Sequence, residues 1–71
     1  MIDPLETSNL VRELRQRLGL TQEEFASHLG VTFSTINRWE NKKSRPSKMA
    51  LQLLQGKARE LGDVDLLNRF L

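Results

Sequence analysis

With 71 residues, the chain has room for one small domain and little more. Hydrophobic types make up 38% and charged types 28%, a balance that suits a folded globule and not a disordered segment. Cysteine is absent and His28 is the one histidine, which excludes Cys-ligated zinc folds and disulfide scaffolds. No uncharged apolar run approaches the roughly 20 residues of a membrane span, and no signal-peptide pattern opens the sequence, so a reducing, cytoplasmic setting is expected.

The net charge of +2 is weak, but it is unevenly spread. Residues 1–20 balance Asp3, Glu6 and Glu13 against Arg12, Arg15 and Arg17. Residues 21–31 carry Glu23 and Glu24, a net of −2. Residues 32–59 set seven bases (Arg38, Lys42, Lys43, Arg45, Lys48, Lys57, Arg59) against Glu40 alone, a net of +6. Residues 60–71 return to −2. A basic middle between neutral or acidic flanks predicts either an electropositive face for a polyanion or a solvated helical face.

In chain order, a first helix is expected from about Ser8 to Leu18, burying Val11, Leu14 and Leu18, with Pro4 before it and Gly19 as its stop. Thr21 and Glu24 have the spacing of a capping box and open a short second helix that turns Phe25, Ala26 and Leu29 inward and ends at Gly30. Thr32 caps a third helix running to about Glu40, with Ile36 and Trp39 as its apolar pair. A loop at residues 41–45 leads to Pro46 and Ser47, which start a fourth helix bearing Leu51, Leu54, Ala58 and Leu61 on one stripe. Gly56 either sits within that helix or breaks it. Gly62 and Asp63 form a stop and restart, leaving a last helix with Val64, Leu67 and Leu71 on one side. The prediction is an all-α, compact bundle of about five short helices, a single unit over residues 1–71.

The segment from Thr21 to Asn41 is two short helices joined by a tight turn at Gly30 and Val31, the spacing of a helix-turn-helix. Ala26 is small enough to let the helices approach, and Val31 plugs the gap between them. At about 100° per residue, with Phe33 at zero, Asn37, Asn41, Ser34 and Arg38 fall within about 40–140°. Ile36 and Trp39 fall on the other side, near about 300° and 240°. The outward side thus presents an aromatic ring, a hydroxyl, two carboxamides and a guanidinium with no acid among them. Such groups can bond base edges in a major groove.

Residues from about Val11 to Pro46 resemble the phage-repressor and Cro type of helix-turn-helix protein, the XRE family. The matching positions are Val11, Leu14, Arg15 and Gly19–Leu20; Thr21–Gln22, Phe25–Ala26 and Leu29–Gly30–Val31; then Ile36, Trp39–Glu40–Asn41 and Pro46–Ser47. The resemblance implies a lambda-repressor-like DNA-binding domain in a prokaryotic or phage-type regulator. It also implies that Phe33, Ser34, Asn37 and Arg38 are the base-facing set. Gln22 would bond a phosphate and brace the third helix, while Thr32 and Asn41 would hold the backbone and Lys42, Lys43 and Arg45 would add charge beside it. Arg15 and Glu40 would form a semi-buried salt bridge between the first and third helices. Relatives often carry glycine where Lys42 stands, so a different turn path is expected there. No operator carries over, because Phe33, Ser34 and Arg38 replace the glutamines that some relatives use.

Trp39 is expected in the core by its helical phase. Arg12, Arg17, Lys57 and Arg59 are expected on solvated faces, with contact to phosphate as the alternative. Phe33 either touches a thymine methyl or packs on its neighbour, and Phe70 with Leu71 either caps the core or forms a dimer seam. His28 has no Ser, Cys or second His in a catalytic spacing, and no Gly-rich phosphate loop is present; neither an enzyme nor a cofactor or metal is expected. The resulting expectation is a transcriptional regulator, a repressor of the family type, that binds double-stranded DNA as a homodimer on a palindromic operator. Half-sites would lie about one helical turn (~34 Å) apart. The alternative is an antitoxin-like or adaptor module whose Ser47–Leu71 half holds a toxin-like protein partner, with DNA binding as secondary autoregulation.

Overall fold

Capping residues divide the chain into five helices. The computed structural model describes residues 4–71; residues 1–3, Asp3 among them, lie outside the described residues. The helices are α1 (Pro4–Arg17), α2 (Gln22–Leu29), α3 (Phe33–Glu40), α4 (Lys48–Leu61) and α5 (Val64–Phe70), and no strand forms among the described residues. Thr32, Ser47 and Asp63 each accept a hydrogen bond from the backbone N–H three residues on, and the capping box at Thr21 and Glu24 has both of its bonds. Each such cap removes an orphan donor from a helix start, an effect of about 1 kcal/mol.

One boundary and one buried face differ from the expected ones, and the choice left open at Gly56 is decided. α1 starts at Pro4, a turn before Ser8, because a proline with no N–H suits the first turn of a helix. α4 runs unbroken through Gly56. In α5 the buried pair is Leu66 and Phe70, while Val64 (67%) and Leu71 (68%) are exposed and Leu67 is half-buried. The stripe at 66 and 70 is as periodic as the one at 64, 67 and 71, and it places the larger Phe70 ring in the core. Ion pairs on the other side of α5 favour the same rotation. Arg69 reaches Glu6 (3.4 Å) and Glu13 (3.1 Å) on α1, and Arg17 meets the capping carboxylate of Asp63. Leu61 has the predicted phase, but it is the last residue of α4 and remains partly exposed.

The core is one cluster around α1, which packs on α3, α4 and α5 while α2 packs on α3. Leu10, Val11, Leu14, Phe25, Ile36, Leu54, Ala58 and Leu66 are completely buried in it. Burial of each large apolar side chain contributes about 1.5–3 kcal/mol, so the apolar stripes and not the weak helix propensities hold the bundle. Trp39 and Phe70 both belong to this core, as does Ala26 at the α2–α3 crossing.

Candidate nucleic-acid interface

The geometry of the α2–α3 turn begins with Gly30. Its φ of 73° is left-handed, which a glycine adopts without a Cβ clash. Its neighbour Val31 returns its N–H to the Ala26 carbonyl at 3.0 Å, closing the helix end. Val31 itself is half-buried against the core between the two helices. Thr32 then restarts the chain, its Oγ1 accepting from the Thr35 N–H at 3.2 Å and sharing a hydrogen bond with the Thr35 hydroxyl.

α3 is held from below by a stripe of α1 side chains one turn apart. Ser8 Oγ donates to the Trp39 carbonyl at 2.7 Å, and Arg12 Nη2 donates to the Glu40 carbonyl at 3.0 Å. Both carbonyls belong to the last turn of α3 and have no partner within the helix. Arg15 grips the Glu40 carboxylate with two bonds, Nε to Oε2 at 2.7 Å and Nη2 to Oε1 at 3.0 Å. Its third bond goes to the Leu20 carbonyl at 3.0 Å. The expected Arg15–Glu40 bridge is therefore present, with Arg12 as a second partner at 3.5 Å. Arg12 is exposed as expected, yet it is engaged with α3 instead of merely solvated.

Burial pushes the Glu40 carboxyl up. Hydrogen bonds from Arg15 and Gln22, the charge of Arg15 and the bond from Arg12 outweigh that effect and hold it below the usual carboxylate range. The Arg15 guanidinium is raised in turn, chiefly by its bond to Glu40. Removing one partner of such a pair would leave a buried charge uncompensated. Among the described residues, every buried side-chain N and O has a hydrogen-bond partner.

Gln22, at the start of α2, spans the interior of the motif. Its Nε2 donates to Glu40 Oε1 at 3.1 Å, and its Oε1 accepts from Asn37 Nδ2 at 3.3 Å. Asn37 is accordingly half-buried, whereas Ser34 and Arg38 are exposed and Phe33 shows 48% of its surface. Thr32, Asn41, Lys42, Lys43 and Arg45 are all exposed. The Asn41 amide also donates to the Asn37 carbonyl at 2.8 Å, which completes the end of α3. Lys42 has φ 63°, the conformation a glycine would take. The turn thus keeps the glycine path with a lysine in it, contrary to the departure expected there.

These positions have an electrostatic consequence. Glu40, the lone acid of the segment 32–59, is 2% exposed and neutralised from α1. The exposed ionic groups from α3 through the start of α4 are therefore all cationic: Arg38, Lys42, Lys43, Arg45 and Lys48. Lys48, the first residue of α4, extends the basic surface and was legible only as part of the basic block. Ser8 and Arg12 carried no signal in the sequence, since their partners are backbone carbonyls 28 to 31 residues away. His28 is exposed on α2. Among the described residues, no group of three or more His, Cys, Asp or Glu could hold a metal ion, and no helix is long and apolar enough to cross a membrane.

Two short helices around a left-handed glycine, the second locked to the core by its apolar side, constitute a helix-turn-helix. Residues 11–56 match the profile of the family described as Helix-turn-helix, well over half of the chain, and the chain belongs to this family in its XRE form. It is 49% identical over 53 residues to an uncharacterized HTH-type transcriptional regulator of Methanothermobacter thermautotrophicus; the match covers 75% of this chain and 72% of the relative. It is 33% identical over 45 residues to the HTH-type transcriptional regulator YiaG of Escherichia coli K12, covering 63% of this chain and 47% of the relative. No solved structure matches the chain significantly. The family match ends within α4, so α5 and the last turns of α4 lie beyond it.

Proposed function

We propose that the chain is a transcriptional regulator that binds double-stranded DNA with α3 in the major groove. Phe33, Ser34, Asn37 and Arg38 face the base edges. Gln22, Thr32, Asn41, Lys42, Lys43 and Arg45 line the phosphates on either side. One observation carries the reading: the sole acid of the basic segment is turned into the core and ion-paired, so α3 and the α3–α4 loop expose no negative charge. A polyanion can approach this surface without like-charge repulsion, and Ser34, Asn37 and Arg38 supply groups of the kind that bond base edges. A homodimer on a palindromic site fits this reading, because one α3 of 8 residues reads too few base pairs for genomic specificity. Val64 at the start of α5 and Leu71 just past its end are exposed and offer apolar surface for a second copy.

Selection of bound duplexes from random DNA tests the assignment, followed by two substitutions. Arg38→Ala is expected to relax base preference at one position at a cost of ~1–3 kcal/mol. Lys43→Ala is expected to weaken selected and scrambled duplexes alike. Identical behaviour of the two variants on both duplexes would refute the base-reading role.

A further inference from the structure

Glu40 cannot touch DNA in this arrangement, since its side chain is 1% exposed. We infer that it is nonetheless a positioning residue for base readout: through Gln22 it fixes the direction in which the Asn37 amide faces the groove. The inference rests on the reading of α3 as the groove helix.

An amide side chain can be turned end for end with little change in shape, exchanging donor for acceptor. What decides its direction is an uncompromising neighbour, and an ionised carboxylate is one because it only accepts. Glu40 is kept ionised by two arginines, and Gln22 must therefore present Nε2 to it, as found at 3.1 Å. The reversed amide would set Gln22 Oε1 against the carboxylate. With Nε2 committed to Glu40, the end of Gln22 that faces Asn37 is Oε1, an acceptor, and Asn37 must offer Nδ2, as found at 3.3 Å. One Asn37 N–H is thereby consumed. Its Oδ1 has no partner among the described residues, and the side chain is only half-buried.

The polarity thus passes from a buried ion pair to a surface amide in two steps, Glu40 to Gln22 and Gln22 to Asn37. An asparagine reads adenine by accepting from N6 and donating to N7, and which edge it offers depends on that direction. A fixed amide accepts adenine in one strand orientation, whereas a freely reversing one tolerates either orientation of the pair. Holding the amide in place beforehand also lowers the ordering cost of binding.

The test uses three variants of the whole chain with selection from random duplex DNA and side-chain amide NMR of the free protein. Asn37→Ala first identifies the base pair that Asn37 reads. Glu40→Gln removes the acceptor-only group, since a carboxamide at 40 can donate or accept. Gln22→Met cuts the relay and leaves the Arg15–Glu40 pair intact, so it stands if Glu40→Gln does not fold. Adenine preference at the Asn37 pair, on the order of 10-fold for an amide contact, is expected to fall within about twofold of unity in both variants, while the Arg38 position keeps its preference. In the free protein, the Asn37 amide protons are expected to shift in both variants. An Asn37-dependent preference that survives Gln22→Met and Glu40→Gln overturns the inference alone, as does an Asn37 amide signal that neither variant moves. A merely structural role for Glu40 predicts equal loss at every position in Glu40→Gln and none in Gln22→Met, and that pattern would also overturn it. Failure of the wild-type chain to select any sequence overturns the DNA reading itself and this inference with it.

Discussion

Lys42 holds the left-handed conformation just past Asn41, the C-cap of α3, where any residue but glycine is strained by its own Cβ. Its N–H and that of Lys43 close the helix end on the Trp39 and Arg38 carbonyls, so the conformation is part of the cap. A lysine retained at such a place points to a use for its charge. Lys42→Gly is expected to raise stability by about 1 kcal/mol while weakening DNA binding and reducing the salt slope by about 1 for each chain bound. Chemical denaturation and binding titrations on the same preparation check both halves. A glycine variant that is neither more stable nor weaker in binding would show that the residue serves neither purpose.

Helices differ in how plainly their sequences announce them. Those of the α2–α3 pair were readable almost to the residue, because caps and glycines mark their ends and one apolar side dominates each. Thr21 with Glu24, Gly30 and Thr32 act through bonds no longer than one turn, and such bonds are visible in spacing. The start of α1 and the rotation of α5 were not readable. Ser8 acts inside α1 on a carbonyl 31 residues away, and Arg69 on α5 bonds acids 56 and 63 residues away. No local pattern encodes such partners. The same limit applies to the site. Helical phase brought out Phe33, Ser34, Asn37 and Arg38 as one surface, but the chain from Glu40 through Gln22 to Asn37 needs α2 docked on α3, with Arg15 of α1 holding Glu40 in place. In α4, Gly56 is an ordinary helical residue, and a Cβ added there would meet nothing within 4 Å. Gly56→Ala is therefore expected to stabilise the protein by about 1 kcal/mol, raising Tm by roughly 4–8 °C. An unchanged or lower Tm would mean that α4 is not continuous in solution.

Across the whole molecule, no exposed acid lies on α3 or in the α3–α4 loop. Glu6, Glu13 and Asp63 are tied to Arg17 and Arg69 where α1 meets α5, and Glu40 is tied to α1 beneath α3. Exposed positive charge gathers around the α3–α4 loop, and the weak net charge conceals this concentration. The Glu40 junction also joins α1, α2 and α3, so its ionisation should govern the fold. Its folded pKa lies below the unfolded value of about 4.3, so its contribution is complete above that pH and is lost as pH falls through the folded value. The Tm difference between wild type and Glu40→Gln is expected to be constant near neutrality and to shrink as pH falls below about 4. A difference that persists unchanged at lower pH would place the stabilisation elsewhere than in the ion pair.

The central claim is that the cationic surface around α3 meets the phosphates of duplex DNA while α3 reads its bases. The most direct measurement is fluorescence anisotropy of a selected duplex and its scrambled counterpart, titrated over a series of salt concentrations. Three loop bases per chain, doubled in a dimer, predict a log–log slope of about −5 for the selected duplex and clear discrimination against the scrambled one. A slope shallower than about −1, or equal affinity for the two duplexes at every salt concentration, would contradict it.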